Sequence, residues 1–454
     1  AASDVYKRQH YTLLVAAAVC AGISLGYYRR PARAMRTGLL KSAAQVLPTI
    51  PILLMIATVA ATWMMSGVVP TLISYGLEVL DPSAFLVTAC GVCALISVLS
   101  GSSWTTIATM GVAFMGIGSV WGYSPAWIAG AIISGAYFGD KVSPLSDTTV
   151  LASSTCSVDL FTHIRYLMRT SIPAMAIALT VFAVVGVVTP HSVGEQSSTM
   201  IENLRNTFNI TPWCLLITVA TGILIALRLN TALTLALSSV MGVVGMFLWQ
   251  PDVVASLTTG RSVPEAVLRM LVTENGLTTG DALLDSLVST GGMKGMLPTI
   301  YLILSAMVFG GVLMGSGMLS VITHAVTRRL NSRLSTVSAT AATGLLLNGC
   351  TGDQYLSIIL NGNLYRNLYR RNGLAPRLLS RSIEDSTSVT SVLIPWNSCG
   401  LTQSAVLGVA TLTYLPCCIF NIASPLITIG AAWLNFGLRG LATKGVHLLQ
   451  SFRR

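Results

Sequence analysis

Only 9% of the 454 residues are charged, while 53% are apolar. A soluble chain of this length carries about 25% charged residues, and a single soluble core could not hide that difference. The apolar side chains must face something other than water, and lipid is the phase that accepts them. The expected fold class is therefore all-α, a polytopic membrane protein.

The placement of the remaining residue types agrees. Many of the 40 glycines and 17 prolines sit inside apolar runs such as GVAFMGIG and AGAIISGAYFG. Membrane helices tolerate them because neighbouring groups satisfy the freed backbone. Gly130, Gly135 and Gly139 would let helices approach closely. The nine cysteines lack the spacing of a zinc site or a secreted disulfide scaffold. Neither HExxH nor GxxxxGK[ST] occurs, so no metal cofactor or ATP hydrolysis is expected and the chain does not read as an enzyme. The net charge of +11 would raise nucleic acid as a partner in a soluble protein. Here the basic residues cluster between apolar segments, where they set topology.

Residues 1–10 are polar and read as an N-terminal remnant. An apolar segment at 11–28 is followed by Arg29, Arg30, Arg33, Arg36 and Lys41, marking a cytoplasmic loop. Residues 11–249 form a first half that includes a first repeat. Residues 250–297, with five acids and three basic side chains, read as an extracytoplasmic loop. Residues 298–440 form a second repeat, and 441–454 a cytoplasmic basic tail. Arg228 splits two spans near 227–230. Arg328, Arg329 and Arg333, and then Arg366, Arg370, Arg371, Arg377 and Arg381, lie on the inner side.

Two polar clusters interrupt each half. GSSWTT (Gly101 to Thr106) and GDKVSPLSDTT (Gly139 to Thr149) lie in the first, NGCTGD (Asn348 to Asp353) and then EDSTSVTS with IPWNS (Glu384 to Ser398) in the second. Paired interruptions point to an internal repeat with broken helices. The lengths between clusters do not match closely, and the residues leave open whether the halves are parallel or inverted. An unwound helix offers carbonyl oxygens, Ser and Thr add hydroxyls, and a carboxylate adds charge. Sodium, a hard cation, wants several such oxygens.

Asp140 and Asp147 are seven apart with Pro144 between them, and Ser143 before the proline is biased away from helix. The break could turn both carboxylates toward one site, with Lys141 neutralising one of them. The candidate ion-binding residues are Asp147, Asp140, Ser146, Thr148, Ser143, Ser102 and Thr105 in the first half. In the second they are Asp353, Asp385, Glu384, Ser386, Thr387, Ser388 and Asn397. Each has a structural alternative: an Asp–Lys pair joining two helices, Glu384 paired with Arg381, Asn397 capping a broken helix, or hydroxyls bonding back to helix carbonyls. Trp104 and Trp396 read as packing residues.

The stretches LISVLSGSSWTTIATMGVAFMGIG, GAIISGAYFGDKVSPLSDTTVLASS, LNGCTGDQY and RSIEDSTSVTSVLIPWNSCG resemble the NhaC-type sodium/proton antiporters, from about residue 11 to about residue 440. The resemblance implies two inverted repeats with broken helices and re-entrant hairpins, a scaffold with a mobile transport domain, a homodimer, and the bacterial inner membrane. By motif match, Ser146, Asp147 and Thr148 would sit at the first hairpin-like break, and Ser386, Thr387 and Ser388 with Pro395 and Asn397 at the second. Asp147, Thr148, Asp385 and Asn397 would hold the metal ion. The resemblance also implies a further apolar segment ahead of residues 11–28, so a shortened N-terminus is expected.

The expected function is secondary active exchange of sodium for protons, with sodium as cargo and no resident cofactor. The alternative is sodium-coupled exchange of an organic acid of the malate/lactate type or an amino acid. An organic anion would need a counter-charge or helix N-terminal donors, and Lys141 and Arg381 are the only basic side chains close to the polar breaks. A channel is a weaker reading because the broken helices of a repeat suit alternating gates, and a membrane-embedded enzyme is weaker because His163 and His324 have no evident partners.

Overall fold

The computed structural model describes residues 2–189, 195–227, 229–273, 285, 288, 290–318, 321, 330 and 332–434. These form helices and, among the described residues, no strands. Among the described residues, seven helices are long and apolar enough to cross a membrane, or up to nine if two bent pairs each count as one span. Ten helices that build the site are numbered here along the chain, and the others are given by residue range.

The first unit begins with α1 (Phe85–Ser100), which ends on Gly101 at φ 68°. That left-handed conformation costs a glycine nothing and stops the helix. Ser102 follows in an extended conformation and caps α2 (Ser103–Val120), its Oγ accepting from Thr105 N at 3.2 Å. α3 (Pro125–Val142) opens with proline, whose missing N–H costs nothing there. Ser143, held extended by Pro144, ends it. Ser146 then caps α4 (Asp147–Thr155), and Asp159 caps α5 (Leu160–Val188), accepting from Thr162 N at 2.9 Å.

The second unit repeats these events. α6 (Arg333–Thr351) ends on Gly352 at φ 67°. Asp353, again extended, caps α7 (Gln354–Arg371), accepting from Leu356 N at 2.8 Å. α8 (Pro376–Ile383) opens with proline and runs into a π turn at Glu384–Ser388. After Pro395, Asn397 caps α9 (Ser398–Leu407), and α10 (Ile419–Trp433) follows.

The correspondence has a constant register of 251 positions, from residue 101 to 352, 125 to 376, 144 to 395 and 146 to 397. Hydrogen bonds repeat in the same register. Ser100 Oγ donates to Ser102 O at 3.3 Å and accepts from Ser102 N at 3.2 Å. Thr351 Oγ1 does the same with Asp353 O at 3.0 Å and N at 3.2 Å. Thr106 Oγ1 bonds Ser102 O as Ser357 Oγ bonds Asp353 O. Gly122 and Gly373 both turn the chain at positive φ. Upstream, LPTI occurs at 47–50 and again at 297–300, one position out of that register. The expected mismatch of lengths is thus corrected. It came from setting EDSTSVTS against GDKVSPLSD, whereas the counterpart of VSPLSD is LIPWNS. The acidic Glu384–Ser388 turn lies opposite the apolar middle of α3 in this register.

Packing fixes the relative directions. α3 and α5 run opposite ways, with the rings of Trp127 and Phe182 6.4 Å apart. α10 runs the same way as α3: Gly130 lies on the Cys417 carbonyl, Phe420 N faces Ser134 Oγ at 3.4 Å, and Lys141 Nζ reaches Ser424 Oγ at 2.6 Å. The α8 stretch runs opposite to α10, since Asp385 meets Thr428 and Val389 O meets Asn421 Nδ2. The counterparts α3 and α8 therefore run in opposite directions. Gly135 and Gly139 lie on the carbonyls of Cys90 and Ala94, which brings α1 and α3 into close contact.

Two further stretches are helical. Ala2–Gly22 is one helix, so the polar N-terminal residues continue it. Within 250–297, expected to be a loop that could be partly helical, two described stretches are helices. Helices Pro251–Thr258 and Val263–Val272 bury Val253, Leu257, Ala266 and Met270 in the main core, where Thr49–Met65 also packs. Their apolar side chains lie at helical rather than continuous spacing. Arg228, Arg328, Arg329 and the tail 441–454 lie outside the described residues.

The breaks depend on their left-handed glycines. Gly101→Ala and Gly352→Ala each place a Cβ where it costs about 1–2 kcal/mol, and at Gly101 it would stand 2.6 Å from the Leu145 carbonyl carbon. Both variants should melt at lower temperature in detergent. Gly430→Ala, with nothing within 4 Å, should not. Unchanged melting of the first two would show that the breaks do not depend on glycine.

Candidate functional site

A cavity of about 650 Å³ lies where the first breaks of the two units meet. Exposed Pro144, Asp147, Leu229 and Asn230 lie at its open parts, and Ser102, Trp104, Thr105, Asp140, Thr148, Gln354 and Tyr355 line it further. Its described lining holds two carboxylates and no lysine, arginine or histidine. Pro144 turns both Asp140 and Asp147 to this one space.

Asp140 is a buried part of the cavity lining and tightly held. Its Oδ2 accepts from Ser103 N at 3.2 Å and Ser103 Oγ at 2.7 Å, and its Oδ1 accepts from Ser146 Oγ at 2.5 Å. Ser146 Oγ lies 3.0 Å from Thr148 Oγ1, which lies 3.2 Å from Glu384 Oε1. Glu384 is fully buried, and its Oε2 has no hydrogen-bond partner among the described residues. Asp147, by contrast, is exposed to the cavity.

Lys141 turns the other way. Its ammonium bonds Asp385 Oδ1 and Ser424 Oγ, and lies 5.2 Å from the Phe420 ring centre. Asp385 Oδ2 accepts from Thr170 Oγ1 at 2.8 Å and Thr428 Oγ1 at 2.6 Å, with Arg381 Nε at 3.7 Å. Arg381 stacks on Tyr166, its guanidinium carbon 4.8 Å from the ring centre. Lys141, Arg381 and Asp385 are each 1% exposed or less. So Lys141 neutralises neither Asp140 nor Asp147, and Arg381 approaches Asp385 rather than Glu384.

The candidates thus separate by place. Ser102, Thr105, Asp140, Asp147 and Thr148 line the cavity, with Ser146 directly behind. Ser143 holds the break, donating to Val98 O at 2.7 Å and accepting from Leu145 N. Asp353 and Asn397 cap helices. Ser386 bonds back to Ser382 O, Thr387 accepts from Asn361 and Asn348, and Ser388 accepts from Gln354. Trp396 donates to Gly349 O at 2.6 Å, closing the second break. Thr170, Ser424 and Thr428 escaped the sequence reading because they sit in apolar runs. Gln354 and Tyr355 were legible as the two residues following Asp353 in LNGCTGDQY.

A family model described as the Na+/H+ antiporter family matches residues 11–156 and 135–436. The chain belongs to the Na+/H+ antiporter family. Among its relatives is the "Na(+)/H(+) antiporter NhaC" of Alkalihalophilus pseudofirmus, 36% identical over 389 residues, covering 85% of this chain and 82% of the relative. The protein of the same name in Bacillus subtilis is 31% identical over 431 residues, covering 94% and 92%. The "Malate-2H(+)/Na(+)-lactate antiporter" of Bacillus subtilis is 34% identical over 431 residues, covering 94% and 86%. The antiporter family is one of multi-pass membrane transporters, in accord with the helices described above.

The Lys141–Asp385 contact makes a stability prediction. Removing one partner of a buried ion pair costs about 3–5 kcal/mol, while replacing both by apolar groups costs far less. Asp385→Leu, which leaves both Lys141 and Arg381 buried without their counter-charge, should lower the melting temperature in detergent more than the double variant Asp385→Leu with Lys141→Met. The reverse order would show that the pair is not the joint between the two units.

Proposed function

We propose that the protein is a secondary antiporter that exchanges sodium for protons across the bacterial inner membrane. The reading is supported above all by the cavity, which presents Asp140, Asp147 and hydroxyl oxygens at a helix break and no basic side chain. Hard-cation chemistry asks for such an oxygen set. Asp147 and Thr148, with Ser102, Thr105 and Asp140, are the proposed ligands. Asp385 and Asn397, the other expected metal residues, have their oxygens engaged elsewhere: Asp385 by Lys141 and two threonines, Asn397 by Cys399 N. They are assigned to the frame around the site.

We further propose that the two units are inverted repeats, supported by the constant register and the opposed directions of α3 and α8. Inverted units that meet at broken helices suit alternating access to one central site. A homodimer remains part of this reading on family membership alone. Sodium and protons are cargo, and no resident cofactor is proposed.

Exchange of an organic acid, as in the name of one relative, is the second reading. It requires a counter-charge or free helix N-terminal donors facing the substrate. Lys141 and Arg381 are buried against Asp385 instead, which favours a cation.

Purified protein in proteoliposomes with an internal pH dye tests the proposal. Sodium added outside should move protons with no organic solute present, and Asp147→Asn should reduce the rate at least tenfold. A response to sodium only when malate, lactate or an amino acid is supplied would overturn it.

A further inference from the structure

We infer that the protein binds the phosphodiester headgroup of an anionic phospholipid on its inner face, between Arg169 of α5 and Arg377 of α8. The inference is independent of which cargo the cavity takes.

The site is built on Tyr166, a side chain only 4% exposed. Three guanidinium carbons lie over its ring: Arg381 at 4.8 Å from the ring centre, Arg377 at 5.0 Å and Arg169 at 5.4 Å. A ring has two faces, so at least two of the three share one. Each contact with the ring is favourable. The guanidinium groups nevertheless repel one another, and partial burial strengthens that repulsion. Arg377 and Arg381 also stand one turn apart on α8, a spacing at which like charges destabilise a helix.

The protein supplies little counter-charge. α5, α7 and α8 contain no acid. Asp159, the cap of α5, is exposed and acts on Arg165, one turn before Arg169. Asp385 stands 3.7 Å from Arg381 but already holds Lys141. Glu384 is turned to Thr148. Arg381 Nη2 has no hydrogen-bond partner among the described residues. The guanidinium groups of Arg169 and Arg377 make neither an ion pair nor a hydrogen bond there.

A phosphodiester meets this need. The guanidinium fork binds phosphate oxygens in pairs. Arg169 is exposed and Arg377 half-buried, so both can reach an anion arriving from outside. Arg381 lies beneath them, 1% exposed, and contributes its field.

Position selects a lipid over a soluble anion. From Arg169 to Val188, α5 runs for about 20 residues, the length that crosses a hydrocarbon core roughly 30 Å thick. Residues 170–188 hold no charge. Val184, Val187 and Val188 at the far end are exposed, as are Met168 and Ile172 beside Arg169. Arg169 therefore stands at the level where headgroups lie, with apolar side chains next to it for an acyl chain. Basic pockets between membrane helices on the inner side suit anionic headgroups.

Native mass spectrometry of the purified protein in fresh detergent tests the site, with phosphatidylglycerol, phosphatidylcholine or inorganic phosphate added at equal concentration. The wild type should hold one phosphatidylglycerol in preference to phosphatidylcholine. Arg169 is exposed, so Arg169→Gln should fold. It should weaken that binding about tenfold, the worth of one charge-assisted hydrogen bond. Arg169→Gln with Arg377→Gln should abolish the preference. Arg370→Gln with Arg371→Gln, which removes the same charge from the exposed end of α7, should leave it intact. An unchanged preference in Arg169→Gln would place the lipid elsewhere. Equal loss in the two double variants would show diffuse attraction to the basic face, and phosphate binding in place of the lipid would make a soluble anion the ligand. Each of these three results overturns the inference.

Discussion

The contact on which the rest depends is the buried pairing of Lys141 with Asp385, two residues 244 positions apart. Successive residues on a helix point about 100° apart, so a residue locked on one side commits its neighbour to another. Lys141 is locked against the second unit, and Asp140 therefore faces the first break. Asp385 is locked against Lys141, Thr170 and Thr428, and Glu384 therefore faces Thr148. One ion pair sets the direction of two further acids. The hydroxyls around Asp385 make the pair tolerable, since a buried charge needs hydrogen bonds as well as a counter-charge.

The backbone of the two units is alike and their chemistry is not. Gly101 and Gly352 stop their helices in the same left-handed conformation, and Ser102 and Asp353 cap the next helices in the same way. Yet the position of Asp140 is Ser391 in the second unit, and that of Lys141 is Val392. The frame that breaks the helices is shared. The carboxylate that faces the cavity belongs to the first unit, and the acid that reaches it from behind belongs to the second. Chemistry at the meeting of the units thus uses both, without either holding a complete site.

Much of this was legible in the sequence where local physics decides. The scarcity of charge gave the membrane, and Pro144 with Ser143 gave the break that turns Asp140 and Asp147 to one space. The partner of Lys141 was not legible, because nothing local links it to Asp385. The register of the repeat was missed because acidity was matched instead of caps: Glu384 resembles Asp140 in charge, but Asn397 resembles Ser146 in what it does for the backbone. Ser424 and Thr428 look like ordinary members of an apolar run until Asp385 is placed beside them. Residues 250–297 read as a loop that could be partly helical, and the helical spacing of Val253, Leu257, Ala266 and Met270 is where two helices lie.

The central claim is that the cavity holds a cation at Asp140 and Asp147 in exchange for a proton. Sodium binding to purified protein, followed by calorimetry across a range of pH for the wild type and Asp140→Asn, tests it most directly. The account predicts a wild-type affinity that weakens as the solution is acidified, and no measurable binding by Asp140→Asn at any pH. Binding by Asp140→Asn at wild-type affinity, with the same dependence on pH, would contradict it.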